Sequence, residues 1–180
     1  MTAVNSLSLW APIDRNRSGI RRLKLVDSDA VSISSVNAEL IPLEDLVFYE
    51  FIFPNQLACV ASFQRQIKET GAAFWLTTVS FSLPHINNQI LQWVAQNPNT
   101  EWLAIAEDYN GNVRALGGTP GGMLLSFDGN TGARPGDANP MNFALAAEQI
   151  QPFTALTAYE NAELFTSGEF DYSFDFSFTS

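Results

Sequence analysis

The sequence is short of the residues that most enzymes depend on. It has one cysteine, Cys59, and one histidine, His85. A lone thiol excludes an intrachain disulfide and a thiolate metal cluster. A lone histidine leaves no room for the common nucleophile triads. No Gly-x-Ser-x-Gly, Walker, dinucleotide-binding, zinc-spacing or His-x-Glu pattern occurs. The chain is therefore read as a non-enzyme with no catalytic, cofactor-binding or metal-ligating residue. Cys59 is expected to pack in an apolar strand, and His85 to cap a helix or sit on the surface.

Charge is scarce as well. Charged residues make up 16% of the chain against 46% hydrophobic. That leaves little charge to cover a monomer, so some apolar surface is expected to meet a partner. Bases are the rarer sign: nine against nineteen acids, for a net charge of −10. Arg15, Arg17, Arg21, Arg22 and Lys24 crowd the start, and no base follows Arg134. Overall acidity without a basic stripe argues against sequence-specific nucleic-acid binding. The basic start and acidic end also form a dipole that copies stacked head to tail can use, which makes Arg21 and Arg22 candidate subunit contacts. No apolar run reaches the ~18 residues of a membrane span. The opening Met1 to Ser6 lacks the regions of a signal peptide, so synthesis in the cytoplasm without membrane contact is expected.

Alternating hydrophobicity is abundant. Two apolar runs meet at Asn110-Gly111, the pair best suited to a tight type I′ turn, which predicts a β-hairpin over 101–117. A second hairpin is predicted from Leu57–Lys68 and Ala72–Leu83 around Glu69-Thr70-Gly71. Gly71 there supplies the left-handed residue of a three-residue connection that pairs Lys68 with Ala72. That register places Cys59, Ala61, Phe63, Ile67, Trp75, Val79, Phe81 and Leu83 on a core face. Ser62, Gln64, Gln66, Thr78, Ser80 and Ser82 fall on the other, a polar face almost without charge.

Further strands are predicted over 20–26, 31–33, 46–53, 123–127 and 141–148. After Pro84, Ile86, Ile90, Trp93 and Val94 recur at helical spacing, so one helix is predicted near 85–97 with Pro84 in its first turn and Asn97-Pro98 at its end. The acidic loops at Glu107–Asn112 and Asp128–Gly132 lack the order of a calcium-binding loop and are read as turns. At the end of the chain, Phe170, Tyr172, Phe174, Phe176 and Phe178 alternate with Asp171, Ser173, Asp175, Ser177 and Thr179. A strand with one aromatic face must be covered, either by its own sheet or by a neighbouring subunit through strand addition. Its five aromatics join Arg21 and Arg22 as candidate interface residues. The organisation expected is an N-terminal arm over 1–18, a β domain over 19–160 and a C-terminal strand or arm over 161–180.

The order of these parts resembles the tail tube proteins of long-tailed bacteriophages. The resemblance spans roughly 19–150: a glycine-led first strand at Gly19–Leu25, an antiparallel meander, one helix, then a strand running into Asp108–Asn112 and a Gly-rich return at Leu116–Gly118. It implies a mainly β fold, an antiparallel β-sandwich or half-barrel flanked by one α-helix with extended terminal arms. It further implies six copies per ring, inner sheets joined into one barrel, and stacked rings that conduct DNA. Partners would be the chain itself and other tail proteins, within the virion. Ser62, Gln64, Gln66, Thr78 and Ser80 are then candidates to line the lumen. The alternatives are a tail terminator, connector or other virion protein, or a carbohydrate- or receptor-binding β-sandwich with Trp10, Trp75, Trp102 and Tyr109 as stacking faces.

Overall fold

The computed structural model describes residues 18–34, 36–53, 58–118, 121–131, 139–159 and 164–165. Strands β1 (Ile20–Asp27), β2 (Val31–Ile33), β3 (Glu39–Pro42), β4 (Tyr49–Ile52), β5 (Cys59–Ile67) and β6 (Ala73–Leu83) come first. Helix α1 (Asn88–Gln96) follows, then β7 (Glu101–Asp108), β8 (Val113–Leu116), β9 (Met123–Gly129), β10 (Met141–Gln149), β11 (Thr154–Ala155) and β12 (Ala158–Tyr159). The fold is mainly β, with one large antiparallel sheet and a single α-helix among the described residues. This is the mainly β architecture with one helix expected from the sequence; the terminal arms expected over 1–18 and 161–180 lie almost entirely outside the described residues.

Nine strands form that sheet, in the order β11-β8-β7-β9-β10-β6-β5, with β1 joined to β7 and β4 to β1. Strand β7 organises it: β1 lies along one edge, while β8 and then β9 share the other. The sheet curls around one core that takes residues from β1, β4, β5, β6, β7, β8, β9 and β10. Ile90, Leu91, Trp93 and Val94 of α1 pack against this core, where Trp93 lies 5.3 Å from Trp102 and 5.2 Å from Tyr49. A smaller cluster forms behind β7 from Val26, Leu103, Ile105 and Ala115, with Leu40 of the three-stranded sheet β12-β3-β2. That small sheet is not evident from the sequence, because its third strand pairs parallel with β3 from far along the chain.

The second hairpin has the predicted register, with Cys59 opposite Phe81 and Ile67 opposite Ala73. Lys68 N donates to Ala72 O at 2.9 Å, and Gly71 has φ +84°. Its core face is shorter than expected: Cys59, Val79 and Phe81 are buried, but Ile67 at the turn end is 69% exposed. The central hairpin also differs from expectation. Its connection is Tyr109-Asn110-Gly111, with only Gly111 at positive φ (+82°). Asp108 causes this, since its carboxylate accepts from the N–H of both Asn110 and Asn112 and draws the loop into three residues rather than two. The helix starts later than Pro84 suggests. Asn87 caps it by accepting from Gln89 N at 2.8 Å, so Pro84 lies in the preceding bend. Cys59 packs as expected, and burial pushes its thiol up to about 12. His85 is exposed and shares a 3.2 Å hydrogen bond with Asn139.

Candidate functional site

Strands β9, β10, β6 and β5 lie side by side and present one outer face. The ladder puts Val60, Ser80, Ala144 and Ser126 in one row across it, and Ser62, Thr78, Ala146 and Leu124 in the next. Gln64, Leu76 and Glu148 form a third row. Of the sequence-predicted lining residues, Ser62, Gln64, Gln66 and Ser80 are exposed on this face and Thr78 is half-buried. The structure thus brings all five together.

It also adds a half that the hairpin alone could not supply. Asn142 and Ser126 extend the polar surface, with Ser82 Oγ donating to Asn142 Oδ1 at 2.9 Å and Ser126 Oγ donating to the Ala144 carbonyl at 3.0 Å. The signal for β10 was its period-two alternation, but sequence alone does not say that it pairs with β6. The face is not purely polar, since Val60 and Leu124 are 48% and 59% exposed. Charge enters only at the margins. Lys68 is neutralised by Glu148 at 2.6 Å at one end, and Asp128 stands at the other.

The acidic loop after β7 is closed upon itself. Asp108 Oδ1 accepts from Asn110 N and Asn112 N, and Oδ2 accepts from Asn112 Nδ2 and Arg114 Nη1, all between 2.8 and 2.9 Å. Burial would raise this carboxyl, but the hydrogen bonds from Asn112, Arg114 and Asn110 outweigh it and hold its pKa below 3.8. With its lone pairs already engaged and a guanidinium in place, Asp108 serves the turn. A depressed carboxyl pKa contributes stability that is fully present above the unfolded value and is lost as pH falls through the folded one. Asp108→Asn should therefore cost about 1–3 kcal/mol at pH 7. The gap to the parent protein should narrow below pH 3.8, as measured by thermal melts across pH.

Farther along the sheet, on β1, the basic strand is engaged within the chain. Arg22 pairs with Glu50 at 2.7 Å and approaches Glu107 at 4.0 Å. Lys24 Nζ donates to the Leu164 carbonyl at 2.9 Å, and burial lowers its pKa against the attraction of Glu50. The Phe165 ring roofs both, 4.7 Å from the Arg22 guanidinium and 4.9 Å from Lys24 Nζ. Arg21 is half-buried, and its carbonyl accepts from Phe53 N. Phe170, Tyr172, Phe174, Phe176 and Phe178 lie outside the described residues, as does Trp10. Among the other proposed stacking faces, Trp102 is 1% exposed and offers no surface to a sugar. Trp75 and Tyr109 are half-buried, and Tyr109 donates to the Phe53 carbonyl at 2.6 Å.

No protein-family model, curated protein or solved structure matches this chain. Its own geometry is what bears on function.

Proposed function

We propose that this chain is a virion structural protein, a phage tail tube subunit whose stacked hexameric rings surround a DNA-conducting lumen. It would be made in the host cytoplasm and end in the virion. The observation that carries the reading is the β5-β6-β10-β9 face: four strands wide, free of charge across its middle, and exposed. A conduit must neither grip phosphate nor repel it into stalling, and a wall of Ser, Gln, Thr, Asn and Ala meets that need.

The topology supports ring closure. Strand β5 ends the large sheet among the described residues, while β9 pairs with β7 only through Met123 and Leu124, so the stretch of β9 beyond Leu124 runs antiparallel to β5 and is what β5 of a neighbouring copy could meet. Lys68 and Ala72, and Asn130 and Pro140, are hydrogen-bonded pairs, so the even residues of β5 and β9 bond inward. The odd residues of β5, and Leu125 and Phe127 of β9, then point their N–H and C=O groups away from their sheet partners, whereas Met123 faces Trp102 of β7. Pairing odd with odd keeps the polar faces of successive copies on the same side. Six copies with four strands each would make a barrel about 37 Å across at ~4.8 Å per strand, before tilt widens it. That is room for a duplex.

The test is a particle carrying Gln64→Arg and Ser80→Arg. Tails of normal length that eject their genome more slowly are expected, because guanidinium groups in the wall would hold phosphate. Ejection at the parental rate would count against the lumen assignment.

A further inference from the structure

Asn110-Gly111 closes the central hairpin, and it is also a pair whose own atoms react with each other. We propose that Asn110 is a site of spontaneous deamidation whose pace is set by Asp108: the reaction is held back while the loop is bonded to Asp108 and proceeds when the loop opens. The assignment holds whether or not the chain builds tubes.

The chemistry needs only water. The Gly111 nitrogen attacks Cγ of the Asn110 side chain and a new N–C bond forms. The Asn110 amide nitrogen leaves as ammonia, taking the proton that the Gly111 N–H gives up. Water then opens the five-membered imide. Attack at Cγ gives aspartate, and attack at the main-chain carbonyl carbon gives isoaspartate, in which the backbone runs through the former side chain. One amide and one water become a carboxylate and an ammonium ion, with no oxidation or reduction. Glycine hinders this attack least, because it puts no Cβ beside the nitrogen. Asn110 and Gly111 are both exposed, and a Cβ built on Gly111 would meet nothing within 4 Å among the described residues. Bulk does not shield the pair; hydrogen bonds do.

Three of them converge on the reacting peptide. Gly111 N donates to Asp108 O at 3.0 Å, while Asn110 N and Asn112 N donate to Asp108 Oδ1 at 2.8 and 2.9 Å. For the attack, the Gly111 N–H must lose its proton and the peptide plane between 110 and 111 must turn its nitrogen towards Cγ. The first bond holds that proton, and the other two clamp the amides on either side. The clamp is itself fixed, since Arg114 Nη1 holds Asp108 Oδ2 at 2.8 Å and the Tyr109 hydroxyl donates to the Phe53 carbonyl at 2.6 Å. The Asp108 carboxylate also opposes the negative charge that develops on the nitrogen as its proton leaves. The reactive geometry is therefore reached through local opening, and its rate follows the population of the open loop. Isoaspartate lengthens the loop by one backbone carbon and sets a second carboxylate beside Asp108. The three bonds do not re-form at that spacing, so each event leaves this end of the hairpin loosened.

Peptide mapping by mass spectrometry, after incubation of the full chain in warm, mildly alkaline buffer, measures the aspartate and isoaspartate formed at residue 110. Conversion in the folded parent should be at least about tenfold slower than in the same chain unfolded in urea. Asp108→Ala should speed it at least about fivefold in native buffer and leave the urea rate unchanged. Asp108→Asn keeps one acceptor for the flanking N–H groups but gives up the charge. It should convert at a rate between those of the parent and Asp108→Ala, and it reads the effect if the alanine variant does not fold. Trp102→Ala is the control, because it removes a buried side chain at the opposite end of β7 and should convert at the parental rate. Equal rates in the folded and urea-unfolded parent would overturn the proposal, as would a folded Asp108→Asn chain that converts no faster than the parent. Acceleration by Trp102→Ala equal to that by the Asp108 variants would overturn it too, since protection would then come from the fold as a whole.

Discussion

Gly117→Val should lower the melting temperature by about 8–16 °C, the largest loss expected from any single substitution at a turn in this protein. Gly117 has φ +88°, a conformation that costs a β-branched residue about 1–2 kcal/mol by itself. Space is the greater obstacle. A Cβ there would collide with the Met123 side chain and come within 2.8 Å of the Trp102 carbonyl oxygen. The Gln149 amide, oriented so that both its ends are satisfied, accepts from the N–H groups of Gly117 and Gly118 and donates to Thr77 Oγ1. Moving the loop to relieve the clash would break this buried network. The sum is about 4 kcal/mol or more, out of a total stability of roughly 5–15. Gly118→Ala is the control. Its nearest neighbour would be Ile33 Cδ1 at 3.7 Å, so a shift of no more than about 0.5 kcal/mol is expected. Thermal melts by far-ultraviolet circular dichroism would measure both.

Trp102→Ala should cost about 3–5 kcal/mol, the usual range for deleting a large buried aromatic. Trp102 is opposite Met123 where β7 changes partner from β8 to β9, and its ring meets Trp93 at 5.3 Å and Tyr49 at 5.6 Å. Removing it leaves a cavity under α1. None of the helix residues is itself fully buried, so the helix has few other ties and should loosen first. Limited proteolysis within 88–96, faster in the variant than in the parent at equal temperature, is the expected sign. A variant as resistant as the parent would mean that α1 is held elsewhere. The two substitutions touch the same atoms, so their costs should not add.

How far the sequence could be read depended on whether a segment carried its own partner. The β5-β6 register was legible because both strands alternate and Gly71 fixes the turn between them. The central hairpin was legible as a pair of strands but not in its loop, since Asn110-Gly111 names a favoured turn and Asp108 overrides it with two hydrogen bonds. Helix α1 was found from its apolar spacing, whereas its start was misplaced. Pro84 tolerates a first turn, but Asn87 provides the acceptor that the free N–H groups need. The small sheet was missed because β3 is four residues ending in Pro42, and its partner β12 is two residues long. The candidate lining residues were half of a face. The other half, on β9 and β10, alternates just as clearly, but periodicity does not say which strands are neighbours.

The place of β1 in the sheet also sets the tempo of folding. Leu23 and Leu25 gain Phe51 and Tyr49 of β4 as neighbours early, but the other edge of β1 stays open until Ala106 and Ala104 of β7 emerge from the ribosome, about eighty residues later in synthesis. At roughly 5–20 residues per second, that is a wait of about 4–16 seconds. Pairings so distant in the chain are slow to form even then. The nascent polypeptide thus spends a large part of its translation with one edge of its first strand open, and holdase chaperones should be found on it before β7 is complete and not after.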